Sequence, residues 1–520
     1  MWKYDNVSKK PNDNEVLESC NVVFIPVKDH NKPECLEAKE KEMLAWVEFE
    51  AYEEINDIGQ EKLSCRWVMT QKGSKEKPRV KARLVARGFE EALSIQCDAP
   101  TGSKETLRIL VSIAASKNWS IKCSDVKNAY LQGEPIDREV FIEPPEEKKK
   151  LGIIWLLKRS VYGLNDAGRK WFKRVERAIV DLGCVQSGLD PCLFFRHNKN
   201  NKLEGVVLVW VDDFIHCGDE KFEKEVAEKI QSVFTVGSVE EDDFTYTGLH
   251  LKKTEKGITI DQSDYIENLQ EEELVRSSPK TESLDKKETT QLKRMTGQVN
   301  WAATQTRPDL SFAVVEQSVK YKDPNLGDLV NAVKSVKKLK LESVKMLFPK
   351  LSGKIKIVTF SDAAFKNLPD SVSSGRGHIV FLLGEQEKCA ALAWTSNKVR
   401  RVVSSTLAAE ALSFQTSVDH AYYLRAILAE ILAVNPLELP IISHCDSWNL
   451  YQALHSTKMV DDKKLRVDIA QVKESVEREN VEVRWVTGDR MIADCLTKKG
   501  ANGAGLLDVL RTGELRGYKI

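Results

Sequence analysis

The stretch Gly205-Val-Val-Leu-Val-Trp210-Val-Asp212-Asp213-Phe214-Ile-His-Cys-Gly218 sets two adjacent acids at the crest of an apolar run. The residues before them are rich in β-branched side chains, and a shorter apolar stretch follows. That pattern predicts two strands folded about a tight turn with both aspartates at its tip. Two carboxylates roughly 4 Å apart repel by about 4 kcal/mol at an effective dielectric of about 20. A divalent hard cation is the natural way to neutralise such a pair. The same residues also suit a plain solvated turn, because Asp is a favoured turn residue. The pair alone does not choose between these readings.

With 520 residues the chain is too long for one ordinary core, so several domains are expected. Its 78 basic and 78 acidic residues cancel, so any case for a nucleic-acid partner has to rest on local clustering of charge. The 11 cysteines form no Cys-x-x-Cys pair and no Cys/His spacing suited to zinc. They read as buried thiols in a reducing compartment. Met1-Trp-Lys-Tyr-Asp lacks an apolar signal segment, and no run reaches the length of a membrane span. The expectation is an intracellular protein with no membrane partner.

Along the chain, residues 1–36 are polar and predict a loosely ordered lead-in. From Glu37 to about Ile58 the apolar residues Met43, Trp46, Phe49, Tyr52 and Ile55 recur at helical spacing. A basic hairpin is expected around Trp67 to Phe89, and a helix from Ser103 to Lys117. Residues 37–240 alternate helical and strand-like patterns, and 241–349 are mixed. Pro349-Lys-Leu-Ser-Gly353 marks a boundary. Beyond it come strands at Ile355 to Phe360, Gly377 to Leu383 and Ala390 to Thr395, then a helix from about Ser405 to Leu432. Strands at Leu439 to Ser443 and Val481 to Val486 complete a mixed α/β domain over 350–500, with a tail at 501–520.

Upstream of the acid pair, Trp119-Ser-Ile-Lys-Cys-Ser-Asp125-Val-Lys-Asn-Ala-Tyr130 places Asp125 at the end of a short strand. Three carboxylates converging on one sheet edge could hold two Mg²⁺ ions, one to activate a primer 3′-hydroxyl and one to clamp a triphosphate. At this point the chain resembles the reverse transcriptases of copia-type (Pseudoviridae) retrotransposon Pol polyproteins. The resemblance is carried by Cys65-Arg-Trp-Val-Met, Lys81-Ala-Arg-Leu-Val-Ala-Arg-Gly-Phe89 and Asp125-Val-Lys-Asn-Ala-Tyr130-Leu-Gln-Gly-Glu. It continues through Val140-Phe-Ile-Glu-Pro-Pro, Ser160-Val-Tyr-Gly-Leu-Asn-Asp-Ala-Gly-Arg-Lys-Trp171, Trp210-Val-Asp-Asp213 and Thr306-Arg-Pro-Asp309, in the family's order.

The resemblance implies an α/β (α+β) right-hand polymerase, with fingers and palm over 37–240 and thumb or connection over 241–349. It implies Asp125, Asp212 and Asp213 as the catalytic, metal-binding acids, with Mg²⁺ or Mn²⁺ as cofactor. Tyr130, five residues past the first acid, matches the family's aromatic gate against a 2′-hydroxyl. Lys72, Lys81, Arg83 and Arg87 fall in the basic segment that the family uses as a fingers hairpin, whose cations would meet the triphosphate and template backbone. A solvated edge strand with protective cations is the competing reading. Two positions depart from the family pattern. Trp210 replaces a tyrosine before Val-Asp-Asp, and Asp166 replaces the glutamine of Tyr-Gly-Leu-x-Gln-Ala. Asp166 would repel triphosphate unless it is held neutral or paired with Arg169.

A second acidic set lies in the C-terminal region: Asp362 after one strand, Glu410 near a helix start, Asp446 at a strand end and Asp494 in Met491-Ile-Ala-Asp494-Cys-Leu-Thr-Lys498. Functional groups of mixed α/β folds gather at such element ends. Phe360-Ser-Asp-Ala-Ala, Ala393-Trp-Thr-Ser-Asn-Lys, Ser404-Ser-Thr-Leu-Ala-Ala-Glu410 and Ala493-Asp-Cys-Leu-Thr-Lys498 resemble the family's ribonuclease H domain. That likeness implies Asp362, Glu410, Asp446 and Asp494 as metal-binding catalytic acids that cut the RNA strand of an RNA–DNA hybrid. Lys398, Arg400 and Arg401 would face the hybrid backbone or form a solvated basic turn.

The implied partners are an RNA template, a DNA primer, the hybrid and deoxynucleoside triphosphates. The implied setting is the cytoplasm, in a virus-like particle, and/or the nucleus. Zinc-knuckle, protease and integrase signatures are absent, so a C-terminal polyprotein portion or a truncated genomic copy is expected. A catalytically decayed or co-opted nucleic-acid-binding protein is the alternative.

Overall fold

In the computed structural model, which describes residues 23–72, 79–91, 95–269, 279–458 and 460–518, the first helix runs Pro33–Glu48 rather than Glu37 to Ile58. It opens on a proline at its first turn, where a missing N–H costs nothing. It stops early because Tyr52–Asn56 pairs antiparallel with Ile153–Leu157. Tyr52 and Ile55 satisfy the helical and the alternating period alike, and a partner strand distant in sequence decides between them. The Tyr52 ring stacks on Trp155 with centroids 3.9 Å apart, and Trp46 lies 6.1 Å from Trp155. The lead-in expected to be loose is structured from residue 23 onward. Val23–Phe24 pairs with the basic hairpin, and Val27–Asp29 forms a short 3₁₀ turn before the helix.

The chain divides into two units. One holds the chain up to Pro100 together with Asn128–Arg177, and the other holds Thr101–Lys127 with Ala178–Ile520. In the first unit, Cys65–Lys72 and Arg79–Ala86 form the expected basic hairpin. Ala82, Leu84 and Ala86 are buried against helix Pro33–Glu48, while Lys81 is exposed. The period-2 pattern thus separates an apolar from a cationic face.

The second unit contains a six-stranded sheet with the spatial order 236–241, 121–126, 213–218, 203–210, 193–197 and 185–186. Helix Lys104–Lys117, capped by Ser103, packs on its middle strands. Asp243–Tyr246, Leu249–Thr254 and Gly257–Asp261 join Met346–Pro349 in a four-stranded sheet. Helices Lys286–Gln305, Ser311–Val319 and Leu326–Leu341 share a core that includes Leu292, Val299, Leu329 and Val336.

A five-stranded mixed sheet follows. Lys356–Ala364 pairs antiparallel with Gly375–Leu383, which pairs with Cys389–Lys398; Ile441–Cys445 and Val481–Trp485 add on the other side in parallel. Helix Thr406–Leu432 covers this sheet. Antiparallel strands first, then parallel strands entered through helices, make this a mixed α/β sheet with helices packed on it, the arrangement that the resemblance implies for the C-terminal region. The terminal segment contains helix Ala504–Thr512. Among the described residues no helix is long and apolar enough to cross a membrane.

Candidate active sites

Strands Leu203–Trp210 and Asp213–Gly218 pair from Gly205↔Gly218 up to Trp210↔Asp213, which leaves Val211 and Asp212 as a two-residue loop. Such loops need a positive φ to match strand twist. Here Val211 supplies it, at φ +56°, where a β-branched residue is unfavourable by about 1–2 kcal/mol. The base of the hairpin has no such strain. Gly205 and Gly218 face each other, and the buried Phe222 ring fills the space of both; a Cβ would lie 2.3 Å or 2.4 Å from it.

Asp213 is also the cross-strand partner of Asp125, so their side chains share one face of the sheet. The Val126 amide donates to the Asp212 carbonyl at 2.9 Å, which ties the loop to the neighbouring strand. On the far side a Cβ at Gly237 would lie 3.0 Å from Asp125 Oδ2. Asp125 is exposed, while Asp212, Asp213 and Trp210 are half-buried. The local field is negative. Cys123, two residues from Asp125, is pushed up to about 12, first by burial and then by Asp213, Glu240 and Asp125.

In the first unit, Tyr130 follows a left-handed Asn128 and meets Tyr162 edge-on at 4.9 Å. Arg83 lies over the Tyr162 ring at 5.1 Å, so the hairpin cation and the two tyrosines form a chain of contacts. Arg87 lies just past the strand, 3.8 Å from Glu90. Lys72 ends its strand, and its side chain lies outside the described residues.

Asp166 is 2% exposed, and its partner is Arg138, at 2.6 and 3.2 Å, rather than Arg169. Arg138 is also bonded to Glu91 at 2.7 Å, and these acids hold its guanidinium charged against burial. Arg169 instead reaches Asp98 at 2.8 Å. The acid that replaces the family's glutamine is therefore neutralised inside the fold. Sequence inspection missed Arg138 because 28 positions separate the partners.

The second acidic set is tighter. Asp362 lies inside the strand Lys356–Ala364 rather than after it, paired with Gly377. Register does the rest. Phe360 pairs in parallel with His444, so Asp362 and Asp446, each two residues further on, stand side by side. Gly377 lets the segment carrying Asp494 press onto the sheet, since a Cβ there would lie 2.6 Å from Leu496. Thr497 Oγ1 then donates to Asp362 Oδ2, and Ser413 Oγ donates to the Asp362 carbonyl at 2.7 Å.

Carboxylate oxygens of Asp362, Asp446 and Asp494 all come within 4.8 Å of one another, and among the described residues only this set does so. The Asp125–Asp212–Asp213 trio is wider. Glu410, in the second turn of helix Thr406–Leu432, is 5% exposed and stands beside the set. Burial first, then Asp362 and Asp446, raise its carboxyl well above the usual range. Asp446 is pushed up to about 6 by burial and then by Asp362. Asp362 Oδ1 and Glu410 Oε2 are buried without a hydrogen-bond partner, as expected of oxygens that wait for a cation.

Lys498, to which the sequence reading gave no role, reaches into this set. Its spacing of four residues from Asp494 was the available signal. Of the basic residues before helix Thr406–Leu432, Lys398 pairs with Asp370 at 2.8 Å and Arg401 with Asp468.

Residues 52–284 match the family model described as reverse transcriptase (RNA-dependent DNA polymerase). Among curated proteins, the retrovirus-related Pol polyprotein from transposon RE2 of Arabidopsis thaliana is 26% identical over 459 residues, covering 84% of this chain and 31% of the relative. The polyprotein from transposon TNT 1-94 of Nicotiana tabacum is 24% identical over 494 residues, 85% of this chain and 35% of the relative. The chain thus spans about a third of the length of these curated relatives. Among solved structures, the foamy viral protease-reverse transcriptase dRH in complex with double-stranded DNA covers 88% of this chain and 70% of its own, with a TM-score of 0.54 at 13% identity. That likeness shows a common fold.

Proposed function

Because residues 52–284 match the reverse transcriptase family model and most of the chain is similar to retrotransposon Pol polyproteins, we propose that it is a copia-type RNA-directed DNA polymerase joined to a ribonuclease H. It copies retrotransposon RNA into DNA and removes the RNA of the resulting hybrid. The observation that carries the polymerase reading is the pairing of Asp213 with Asp125 beside the strained Val211-Asp212 loop.

The donor sets suit hard divalent ions: carboxylates only, on one sheet face in the first site and partly unpartnered in the second. Asp125, Asp212 and Asp213 would hold Mg²⁺ or Mn²⁺ at the first site, and Asp362, Glu410, Asp446 and Asp494 at the second. Bound there, such ions lower the pKa of the attacking hydroxyl or water and offset charge on the phosphate. The protein's own part is to hold the acids rigidly. Cross-strand pairing aligns Asp125 with Asp213, while parallel register aligns Asp362 with Asp446.

Finer roles follow the resemblance. Tyr130 screens the sugar 2′-position, and Lys81, Arg83, Arg87 and Lys72 contact phosphate. Trp210 contributes an aromatic wall beside Asp212. Asp166 acts through its ion pair rather than by touching triphosphate. The native substrates are then an RNA template, a DNA primer, the hybrid and deoxynucleoside triphosphates.

Primer extension on poly(rA)/oligo(dT) with Mg²⁺ or Mn²⁺, beside an Asp212→Asn control, tests the reading. Metal-dependent extension absent from the control is expected. Equal signals in the two would sink the polymerase assignment and favour a nucleic-acid-binding chain.

A further inference from the structure

Lys498 sits where a cation is needed most. Its Nζ lies 2.7 Å from Asp494 Oδ1, 3.3 Å from Asp362 Oδ1 and 4.0 Å from Asp446 Oδ2. These are the three residues whose oxygens converge within 4.8 Å. Asp362 is fully buried, and its Oδ1 has the ammonium as an ionic neighbour but no hydrogen bond. A carboxylate set this close, taken out of water, is unfavourable without a counter-charge. The Lys498 side chain is 40% exposed, so its stem enters from the solvent side and can leave the same way.

Local structure keeps the lysine there. The Lys498 amide bonds the Asp494 carbonyl at 2.9 Å, and the Thr497 amide bonds the same carbonyl at 3.1 Å. Thr497 in turn donates to Asp362. One short segment thus carries an acid of the set, the hydroxyl that pins a second acid and the ammonium that bridges all three.

We propose that Lys498 is the resident cation of this site: it holds the acids together while no divalent ion is bound, and it competes with such an ion for the same oxygens. The inference rests on reading the acids as a divalent-ion site. One ammonium supplies a single positive charge to three or four carboxylates, so the set still attracts a divalent ion. Lys498 would then give up the shared oxygens and swing toward the solvent side, from which its stem enters. Lys498 is thus a positioning residue for the acids of the ion-free chain.

The test is Mn²⁺ binding to the full-length chain, followed by the loss of the free-ion electron paramagnetic resonance signal. An Asp125→Asn/Asp212→Asn/Asp213→Asn background silences the other site. Opposite charge at this range moves proton affinity by 1–3 pKa units, so Lys498→Met should tighten Mn²⁺ binding by about tenfold or more. Lys498→Arg keeps the charge and should bind as the parent does. A purely structural lysine predicts weaker binding for Lys498→Met, so unchanged or weaker affinity overturns the proposal. Should Lys498→Met unfold without ions, a Mn²⁺ titration of its circular dichroism decides. Refolding below the parent's half-saturation concentration supports the proposal, and failure to refold at any concentration overturns it. Tighter binding without hybrid cleavage by the native chain would support the role of Lys498 while sinking the nuclease reading.

Discussion

The two acidic sets are built from the same group, the carboxylate, and live in opposite surroundings. Asp125 is exposed, Asp212 and Asp213 are half-buried, and the strain is in the backbone, at Val211. Asp362 is fully buried at the centre of a sheet, Glu410 is nearly so, and the strain is electrostatic. Solvent exposure screens Asp125 at the first site, while Lys498 lowers the repulsion at the second. A fold can therefore hold close carboxylates by leaving one at the surface or by giving the set an ammonium. Asp166 shows a third solution, a permanent arginine partner, for an acid with no metal to wait for.

The largest test of this contrast separates the sites. Asp213→Asn should lower primer extension at least about a hundredfold while hybrid cleavage persists, and Asp362→Asn should do the reverse, since each set loses several kcal/mol of charge stabilisation. Joint loss of both activities in either variant would show that the sites are not independent.

Next in size is Arg138→Leu, which strands the buried Asp166 and should cost about 3–5 kcal/mol in urea unfolding. Arg138→Leu/Asp166→Leu should recover most of that. A double variant no more stable than the single one would mean that the arginine acts through Glu91 instead.

Acid tests how dry the C-terminal five-stranded sheet is. His378 is buried and drawn down to about 3 by desolvation, then by His420 and Arg376. Its unfolded value is about 6.5, so from there down to about 3 the unfolded chain binds the extra proton. Stability should fall as pH drops through that window, by up to about 1.4 kcal/mol per unit for this one group. Replacing His378 with Leu should flatten the slope of Tm between pH 7 and 5; an unchanged slope would assign the acid sensitivity elsewhere.

Smallest is Val211→Gly. It relieves about 1–2 kcal/mol of strain and loses about 0.5–1 kcal/mol to chain entropy. Stability should rise by no more than about 1.5 kcal/mol, while primer extension falls as the loop loosens. Undiminished extension would show that the strained valine is not what positions Asp212.

Features written in contiguous residues were legible beforehand. The β-branched run into Asp212-Asp213 predicted the hairpin, and helices Lys104–Lys117 and Thr406–Leu432 begin and end within a residue of expectation. Features set by distant partners were not. Tyr52 and Ile55 extended the first helical pattern until Ile153–Leu157 claimed them for a sheet. Asp362 was placed after its strand, yet pairing with Gly375–Leu383 carries that strand on to Ala364. Asp166 was offered the nearby Arg169, which Asp98 holds instead.

By itself the sequence determined the elements written in contiguous residues, the family likeness and seven candidate acids, because side-chain periodicity and short motifs are local properties of the chain. Only the tertiary structure decided which acids touch, which are dry and which cation answers each one. Register across a sheet, burial and ion pairing depend on residues that become neighbours only when the chain folds, as Asp125 meets Asp213 and Lys498 meets Asp362.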